Sequence, residues 1–150
     1  MSDATSEMMR QSLTNRREYI FNINPISIDK ALGRRERTGF YEPHVHNKIV
    51  MGIEFRNQHA AQGKDTPYTM PLLAHIQFYV NDHAGLPKRK KTDYWHYTLP
   101  DLTRLTEFLF NVAHDSEIIA DKRIIASIIS TKIIDRYHPR THLILQELPR

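Results

Sequence analysis

Strict alternation of apolar and polar residues marks the segment Leu73–Val80. Its even-numbered positions are apolar, whereas His75, Gln77 and Tyr79 occupy the positions between them. Because successive side chains of a strand point to opposite faces of a sheet, this pattern predicts a β-strand with one buried face.

Three further segments have the β-branched and aromatic content of strands. They are Glu18–Asn24, which Pro25 stops, Ile124–Ile129, and Thr141–Glu147, which follows a turn at 137–140. The second of these carries β-branched residues on both faces, as a central strand does. The third is predicted to be its antiparallel hairpin partner.

Helical spacing of apolar residues appears in two segments. The first is His44–Gln62, with Gly63 as a helix stop, and the second runs from Leu102 to about His114. The order of elements is therefore β-α-β-α-β-β, and nothing repeats internally. It predicts an α/β or α+β fold in which a mixed four-stranded sheet packs against two main helices. We assign this single domain to residues 15–150 and expect the polar segment 1–14 to be a flexible tail.

The composition limits the chemistry. The 150 residues, 40% of them apolar, suit one domain with one core. The absence of cysteine excludes disulfides, zinc–thiolate sites and cysteine nucleophiles, so any metal must have oxygen or histidine ligands, with Mg²⁺ the default. There is no apolar run of membrane-spanning length and no secretion signal, so we expect a cytoplasmic protein without a membrane partner.

The net charge is only +4, so the distribution of charge is more informative than its sum. One basic segment is an uninterrupted run formed by Lys88, Arg89, Lys90 and Lys91. A second, residues 30–37, contains Arg34 and Arg35 beside Gly33, where the backbone can approach a polyanion. Both suit a phosphate backbone, although a solvated loop is the alternative for each.

Two aspartates stand at element boundaries. Asp101 follows Pro100 at the predicted start of the second helix, where an aspartate usually acts as a cap. Asp121 precedes the isoleucine-rich strand and is equally suited to a turn. A helix start and a strand start joined by a short connection are expected to bring both carboxylates to one edge of the sheet. There they would hold Mg²⁺, with nearby basic residues holding phosphates.

These residues resemble a known family. The stretch Pro100-Asp101-Leu102, Leu105, Asp121 before an isoleucine strand and Lys132 near its end are similar to the core of the RusA-type Holliday-junction resolvases. That family's signature is proline-aspartate-leucine-aspartate-asparagine-leucine, a lysine in the helix and a paired aspartate before the next strand. The order of elements agrees from about residue 18 to Glu147, so the resemblance implies a RusA-like fold.

The resemblance also implies a function. The implied protein would be a Mg²⁺-dependent (or Mn²⁺-dependent), structure-selective endonuclease. It would cut four-way DNA junctions as a homodimer, in recombination or repair of a phage or prophage. Asp101, Asp121 and Thr103 would hold the metal, and Lys132 would assist catalysis. The side chains expected to bind DNA are Lys88, Arg89, Lys90, Lys91, Arg34, Arg35, Arg104 and Lys122.

The chain departs from the family signature at four positions. Thr103 stands in place of the second aspartate, Arg104 in place of the asparagine, Glu107 in place of the helix lysine and Ala120 in place of the first paired aspartate. A permanent cation at 104 repels a metal and attracts a phosphate. The alternative is therefore a catalytically inactive, RusA-like accessory protein that binds DNA. A third hypothesis is a protein-interaction role without nucleic acid.

Overall fold

The computed structural model of the protein describes residues 16–26, 34–36, 39–41, 45–81, 94–95 and 101–149. Its elements, in chain order, are β1 (Arg16–Phe21), β2 (Arg34–Glu36), β3 (Gly39–Tyr41), α1 (Val45–Ala61), β4 (Leu72–Val80), β5 (Tyr94–Trp95), α2 (Leu102–Asp115), a 3-10 turn (Lys122–Ile124), β6 (Ile125–Ile134) and β7 (Arg140–Glu147). Both helices match their predicted bounds to within one residue. The predicted tail 1–14 and the basic run Lys88–Lys91 lie outside the described residues.

The main sheet has the strand order β1-β7-β4-β6-β5, and β2 pairs with β3 in a separate ribbon. Strands β4 and β6 are parallel, and the other neighbours in the main sheet are antiparallel. Because β5 has only two residues, the sheet consists of four full-length strands and a short edge. The predicted α+β fold, with a mixed sheet and two helices, is confirmed.

The predicted hairpin between the last two strands is wrong. β7 pairs with β4 on one side and with β1 on the other, so β4 separates it from β6. The connection crosses the end of β4, where the Asp135 N–H donates to the Val80 carbonyl at 3.0 Å. β7 can occupy this inner position because Thr141, Leu143 and Leu145 alternate with half-buried residues and present a buried face to the helices.

β6 is also less enclosed than its isoleucines predict. Ile128 and Ile129 are 49% and 50% exposed, although they lie on opposite faces of the strand. The reason is the short neighbour: β5 pairs only with Ile133 and Ile134, at the far end of β6. Among the described residues, the first half of β6 therefore has a sheet neighbour on one side only.

The core lies between the sheet and the two helices. β4 contributes every second residue to it, as its alternation predicts, and the residues between them are half-buried. Buried side chains from the other elements complete the layer. The largest fully buried ones are Tyr19, Tyr68, Phe21, Phe55, Phe78, Phe108, Leu72, Ile76, Leu105, Leu109, Ile118 and Ile119. This one-sided burial explains why α2 carries a single apolar stripe.

A polar group is buried where α1 meets β1. His59, at the end of α1, is 4% exposed. Its Nε2 lies 2.9 Å from the Thr66 carbonyl oxygen, and its Nδ1 lies 2.8 Å from the Tyr19 hydroxyl. Since a carbonyl oxygen only accepts, Nε2 carries the hydrogen and Nδ1 accepts from Tyr19. The ring is thereby held as the neutral tautomer.

Burial lowers the pKa of His59 below its ordinary value of 6.5. The hydrogen bond to Thr66 opposes this shift, and so does the charge of Asp65, whereas the charges of Lys64 and Arg17 add to it. Because the unfolded chain then binds a proton at a pH where the folded chain does not, stability must decrease as the pH falls through 6.5 toward the lower folded pKa.

We therefore expect the free energy of unfolding to decrease between pH 7.5 and pH 5.5, and His59→Gln to flatten this dependence. The variant should also lose about 1–3 kcal/mol at pH 7.5, because the Tyr19 hydroxyl and the Thr66 carbonyl lose their fitted partner. Urea unfolding at the two pH values measures both effects. His46→Gln, which removes an exposed imidazole, is the control. An unchanged slope in His59→Gln would contradict the assignment.

Candidate nucleic-acid interface

Asp101 is the N-cap of α2. Its backbone is extended, and its Oδ1 accepts from the Thr103 N–H at 2.8 Å. The Asp101 carbonyl accepts from the N–H groups of Arg104 and Leu105 at 3.1 and 3.0 Å, which starts the helical hydrogen bonding. An aspartate in this place satisfies a free N–H group and meets the positive end of the helix dipole.

Asp121 has the corresponding role at the 3-10 turn before β6. Its Oδ1 accepts from the Arg123 N–H at 2.8 Å, and the Arg123 guanidinium donates to both carboxylate oxygens at 2.8–3.1 Å. These bonds from Arg123, first from its side chain and then from its backbone, lower the pKa of Asp121 to about 2. The carboxylate is therefore charged at neutral pH and bonded through both oxygens.

The direction of α2 separates these two aspartates. Thr106, early in the helix, contacts Ser130, just past the middle of β6, with 3.0 Å between the hydroxyl oxygens. Lys122, just before β6, donates to the Asn111 side chain, late in the helix, at 2.7 Å. The helix therefore runs antiparallel to β6. Its 14 residues span about 21 Å.

We call the edge of the sheet where β4 and β6 end, at Val80 and Ile134, the carboxyl edge, and the opposite edge the amino edge. Asp101 lies at the carboxyl edge and Asp121 at the amino edge. Ligand oxygens must lie about 2 Å from Mg²⁺, so these two carboxylates of one chain do not share an ion. The expectation that they meet is not fulfilled, because the helix of a β-α-β crossover starts where the strands end.

Metal ligands are also not grouped elsewhere in the described ranges. Within them, no three histidine, aspartate or glutamate side chains lie close enough together to hold a metal ion. Thr103 is exposed beside Asp101, and Glu107 is exposed further along α2. The carboxylate of Asp101 and the hydroxyl of Thr103, without Asp121, do not make up the ligand set that the resemblance implies.

The carboxyl edge nevertheless brings several predicted site residues together. Arg104 is exposed in the first turn of α2. Lys132 pairs with Phe78 across the sheet and so lies on the face that the helices cover, two residues beyond the Ser130 contact. Asp101, Arg104 and Lys132 therefore lie at the same edge. Lys122, also predicted to bind DNA, lies at the amino edge instead.

The predicted basic loops connect to this geometry in different ways. The segment that contains Lys88–Lys91 begins after Asn81, which directly follows β4, and ends before Tyr94, which pairs with Ile134. Both flanking residues lie at the carboxyl edge. The backbones of Arg34 and Arg35 belong to β2, paired with β3, and their side chains lie outside what the structure describes.

Sequence reasoning missed one group at the carboxyl edge. Asp135 follows β6, and its carboxylate accepts from the N–H groups of Tyr137 and His138 at 3.0 and 3.1 Å and from Arg140 Nη1 at 2.9 Å. Burial acts to raise the pKa of Asp135, but these hydrogen bonds outweigh it and the pKa is lowered. The sequence signal that was available is the position of Asp135, two residues before the predicted turn at 137–140.

Comparisons with known proteins do not assign a family. No protein-family model matches the chain, and no curated protein matches it. Among the described residues, neither helix is long and apolar enough to cross a membrane.

The capping role of Asp101 can be separated from any other role by two substitutions. Asp101→Ala should lower the free energy of unfolding by about 1 kcal/mol, because the Thr103 N–H loses its acceptor. Asp101→Asn keeps a capping oxygen and loses only the charge at the helix terminus, so its loss should be a few tenths of a kcal/mol. Urea unfolding at pH 7 measures both. Equal stability of Asp101→Ala and the parent would contradict the cap.

Proposed function

We propose that this chain binds branched DNA through the carboxyl edge and acts as a structure-recognising protein in DNA recombination or repair in the cytoplasm. The observation that carries the proposal is the gathering of cationic groups there. Arg104, Lys132, Arg136 and Arg140 lie at this edge, and both ends of the segment with the Lys88–Lys91 run are anchored to it. The described acids at the same edge are Asp101 and Asp135.

The amino edge is a poorer candidate for a polyanion. Acidic residues are frequent there, namely Asp115, Glu117, Asp121 and Glu147. Arg123 and Lys64 are paired there with Asp121 and Glu147 at 2.8 and 3.5 Å, as Arg140 is with Asp135 at the carboxyl edge at 2.9 Å. The two edges therefore differ in the number of carboxylates and not in the pairing of their cations. A phosphate backbone would meet carboxylates of its own sign at this edge.

The hydrogen bonds of the two aspartates favour binding over cleavage within a single chain. Each carboxylate acts as a cap, and the two lie at opposite ends of α2. Arg104 then adds a cation to the helix start, where it attracts a phosphate. This arrangement supports the accessory DNA-binding function more directly than the nuclease function.

The binding surface can be tested by removing one charge at each edge. Arg104→Gln should weaken binding to a four-way junction roughly 5- to 10-fold near 0.1 M salt, and should reduce the slope of log K against log salt by about one. Lys122→Gln removes the same charge from the amino edge and should change neither quantity. Fluorescence anisotropy over a salt series measures both, with linear duplex for comparison.

Replacing Lys88–Lys91 with serines should weaken binding further and reduce the salt slope more than Arg104→Gln does, because more cations are lost. Equal effects of Arg104→Gln and Lys122→Gln would show that net charge, not the carboxyl edge, governs binding. Junction binding that is insensitive to salt would favour the protein-interaction function over both DNA functions.

Cleavage is a second candidate, and one observation favours it. Both carboxylates are accessible to solvent at the two ends of one helix. In a homodimer whose α2 helices pack antiparallel on either side of a two-fold axis, Asp101 of one protomer would lie beside Asp121 of the partner subunit. We propose that Mg²⁺ or Mn²⁺ binds between protomers in this way, with Thr103 two residues after Asp101 in sequence and Lys132 at the same edge of the sheet.

Mixed dimers test the second candidate. Asp101→Asn and Asp121→Asn should each abolish junction cleavage, while junction binding stays equal or becomes tighter because a negative charge is removed. Co-expressed dimers that contain one protomer of each kind should regain cleavage, because one of the two sites then has both native aspartates. Single-turnover cutting of a labelled four-way junction in Mg²⁺ and Mn²⁺ measures this, with linear duplex as the control.

If the mixed dimer is as inactive as the two variants, the shared site between protomers is excluded. If the parent cuts in neither metal but binds the junction in a salt-dependent manner, the chain is a binding protein only. If either single variant cuts at the parental rate, its aspartate has no role in a metal site.

A further inference from the structure

The turn between β6 and β7, residues 135–139, is held by hydrogen bonds at several points. The Asp135 carboxylate accepts the two N–H groups and the Arg140 bond described above, and Arg140 Nη1 also donates to the His138 carbonyl at 2.9 Å. His138 Nε2 lies 3.0 Å from the Asn22 side-chain oxygen, which ties the turn to the end of β1.

The base of the turn is packed against β4. The guanidinium of Arg140 stacks over the Tyr79 ring at 3.6 Å, and the Asp135 N–H binds the Val80 carbonyl. Arg140 and Asp135 are also paired at 2.9 Å, with only 24% and 16% of their side chains exposed. A turn fixed at several points loses little conformational entropy when a ligand binds to it.

This firm turn presents Tyr137 to solvent. Tyr137 is 90% exposed, whereas the other exposed large apolar residues among those described are at most 57% exposed. Its backbone N–H is bound to Asp135, so the backbone below the ring is fixed. The ring itself contributes nothing to the core. An aromatic side chain held in water by a well-ordered turn is suited to contact with a ligand.

The surroundings indicate the chemistry of that ligand. Tyr137 lies at the carboxyl edge between Arg136 and His138, and the nearby carboxylate of Asp135 is neutralised by Arg140. No other residue of the turn is a large exposed apolar side chain, and the segment bonded to the turn at Asn22 adds Ile23, which is 37% exposed. The turn itself therefore offers a single flat ring among cationic or neutral polar groups. A protein partner would require a larger apolar surface around it. A nucleobase requires one aromatic face and a positive neighbourhood for its phosphate.

We infer that Tyr137 is a base-stacking site that takes an unpaired nucleobase of the bound DNA. This inference deepens the proposed DNA-binding function and rests on it. The charges of the carboxyl edge hold the backbone, and the Tyr137 ring stacks on a base that is not enclosed in a duplex. Such a contact explains how a basic surface would prefer branched or single-stranded DNA to linear duplex.

The test uses the full-length protein and an oligonucleotide that carries one 2-aminopurine, as a single strand and at the crossover of a four-way junction. Tyr137→Ser should weaken binding to both about 5- to 100-fold, because stacking on one base is lost. It should abolish the protein-dependent change in 2-aminopurine fluorescence. The salt slope should stay at the parental value, because no charge is removed. Tyr137→Phe keeps the ring and should behave as the parent does.

Two outcomes separate this inference from the proposed function. If the parent binds DNA with the expected salt dependence, but Tyr137→Ser binds as tightly and changes the fluorescence as much, the stacking site is overturned and the DNA-binding function stands. If the parent binds neither the single strand nor the four-way junction, both the stacking site and the DNA-binding function are overturned. Urea unfolding of Tyr137→Ser should have the same midpoint as that of the parent, because the ring is exposed, so a loss of binding does not reflect unfolding.

Discussion

The antiparallel packing of α2 along β6 is the constraint on which the arrangement of the candidate site depends. Thr106 on Ser130 and Lys122 on Asn111 fix the direction of the helix at two points. Since β4 and β6 are parallel, the chain must return over the sheet between them, and the helix that makes this return starts where the strands end. The first turn of α2 therefore lies at the carboxyl edge of the sheet and its last turn at the amino edge.

Local patterns in the sequence predicted the two helices and the four long strands, but not which strands are neighbours in the sheet and not the short strands β2, β3 and β5. The apolar stripe from Leu102 to Val112 and the alternation through Leu73–Val80 each depend on the burial of one face, so they predict the helix and the strand correctly. The alternation in β7 predicts which of its side chains are buried, but it does not predict which strands lie beside β7. Its place between β1 and β4 depends on hydrogen bonds between segments far apart in sequence.

The two aspartates are a different case. Their positions at element boundaries were correctly predicted, and so was the capping role of Asp101 as the simpler alternative. Asp121, for which the simpler alternative was a turn residue, caps the 3-10 turn. The distance between a helix start and the following strand start is set by the length of the helix, about 21 Å here. The predicted bounds of α2 already contained this length, and the expectation that the carboxylates meet was wrong because it treated the helix as a short connection. A short connection joins the end of α2, and not its start, to Asp121. The acids that lie at the same edge as Asp121 are therefore Asp115 and Glu117, whereas Asp101 lies at the other edge.

The two carboxylates also differ in how many of their oxygens already accept hydrogen bonds. Asp101 uses Oδ1 for the Thr103 N–H, whereas both oxygens of Asp121 are bonded to Arg123. The low pKa of Asp121, about 2, means that a ligand would compete with a guanidinium and not with a proton. Any metal at Asp121 would first have to displace Arg123, whose side chain is 90% exposed and free to reorient toward solvent. At Asp101, in contrast, a phosphate would find Arg104 one helical turn away. Under the proposed DNA-binding function the carboxyl edge supplies the cations, whereas a metal at the amino edge would require a change in the Asp121–Arg123 ion pair.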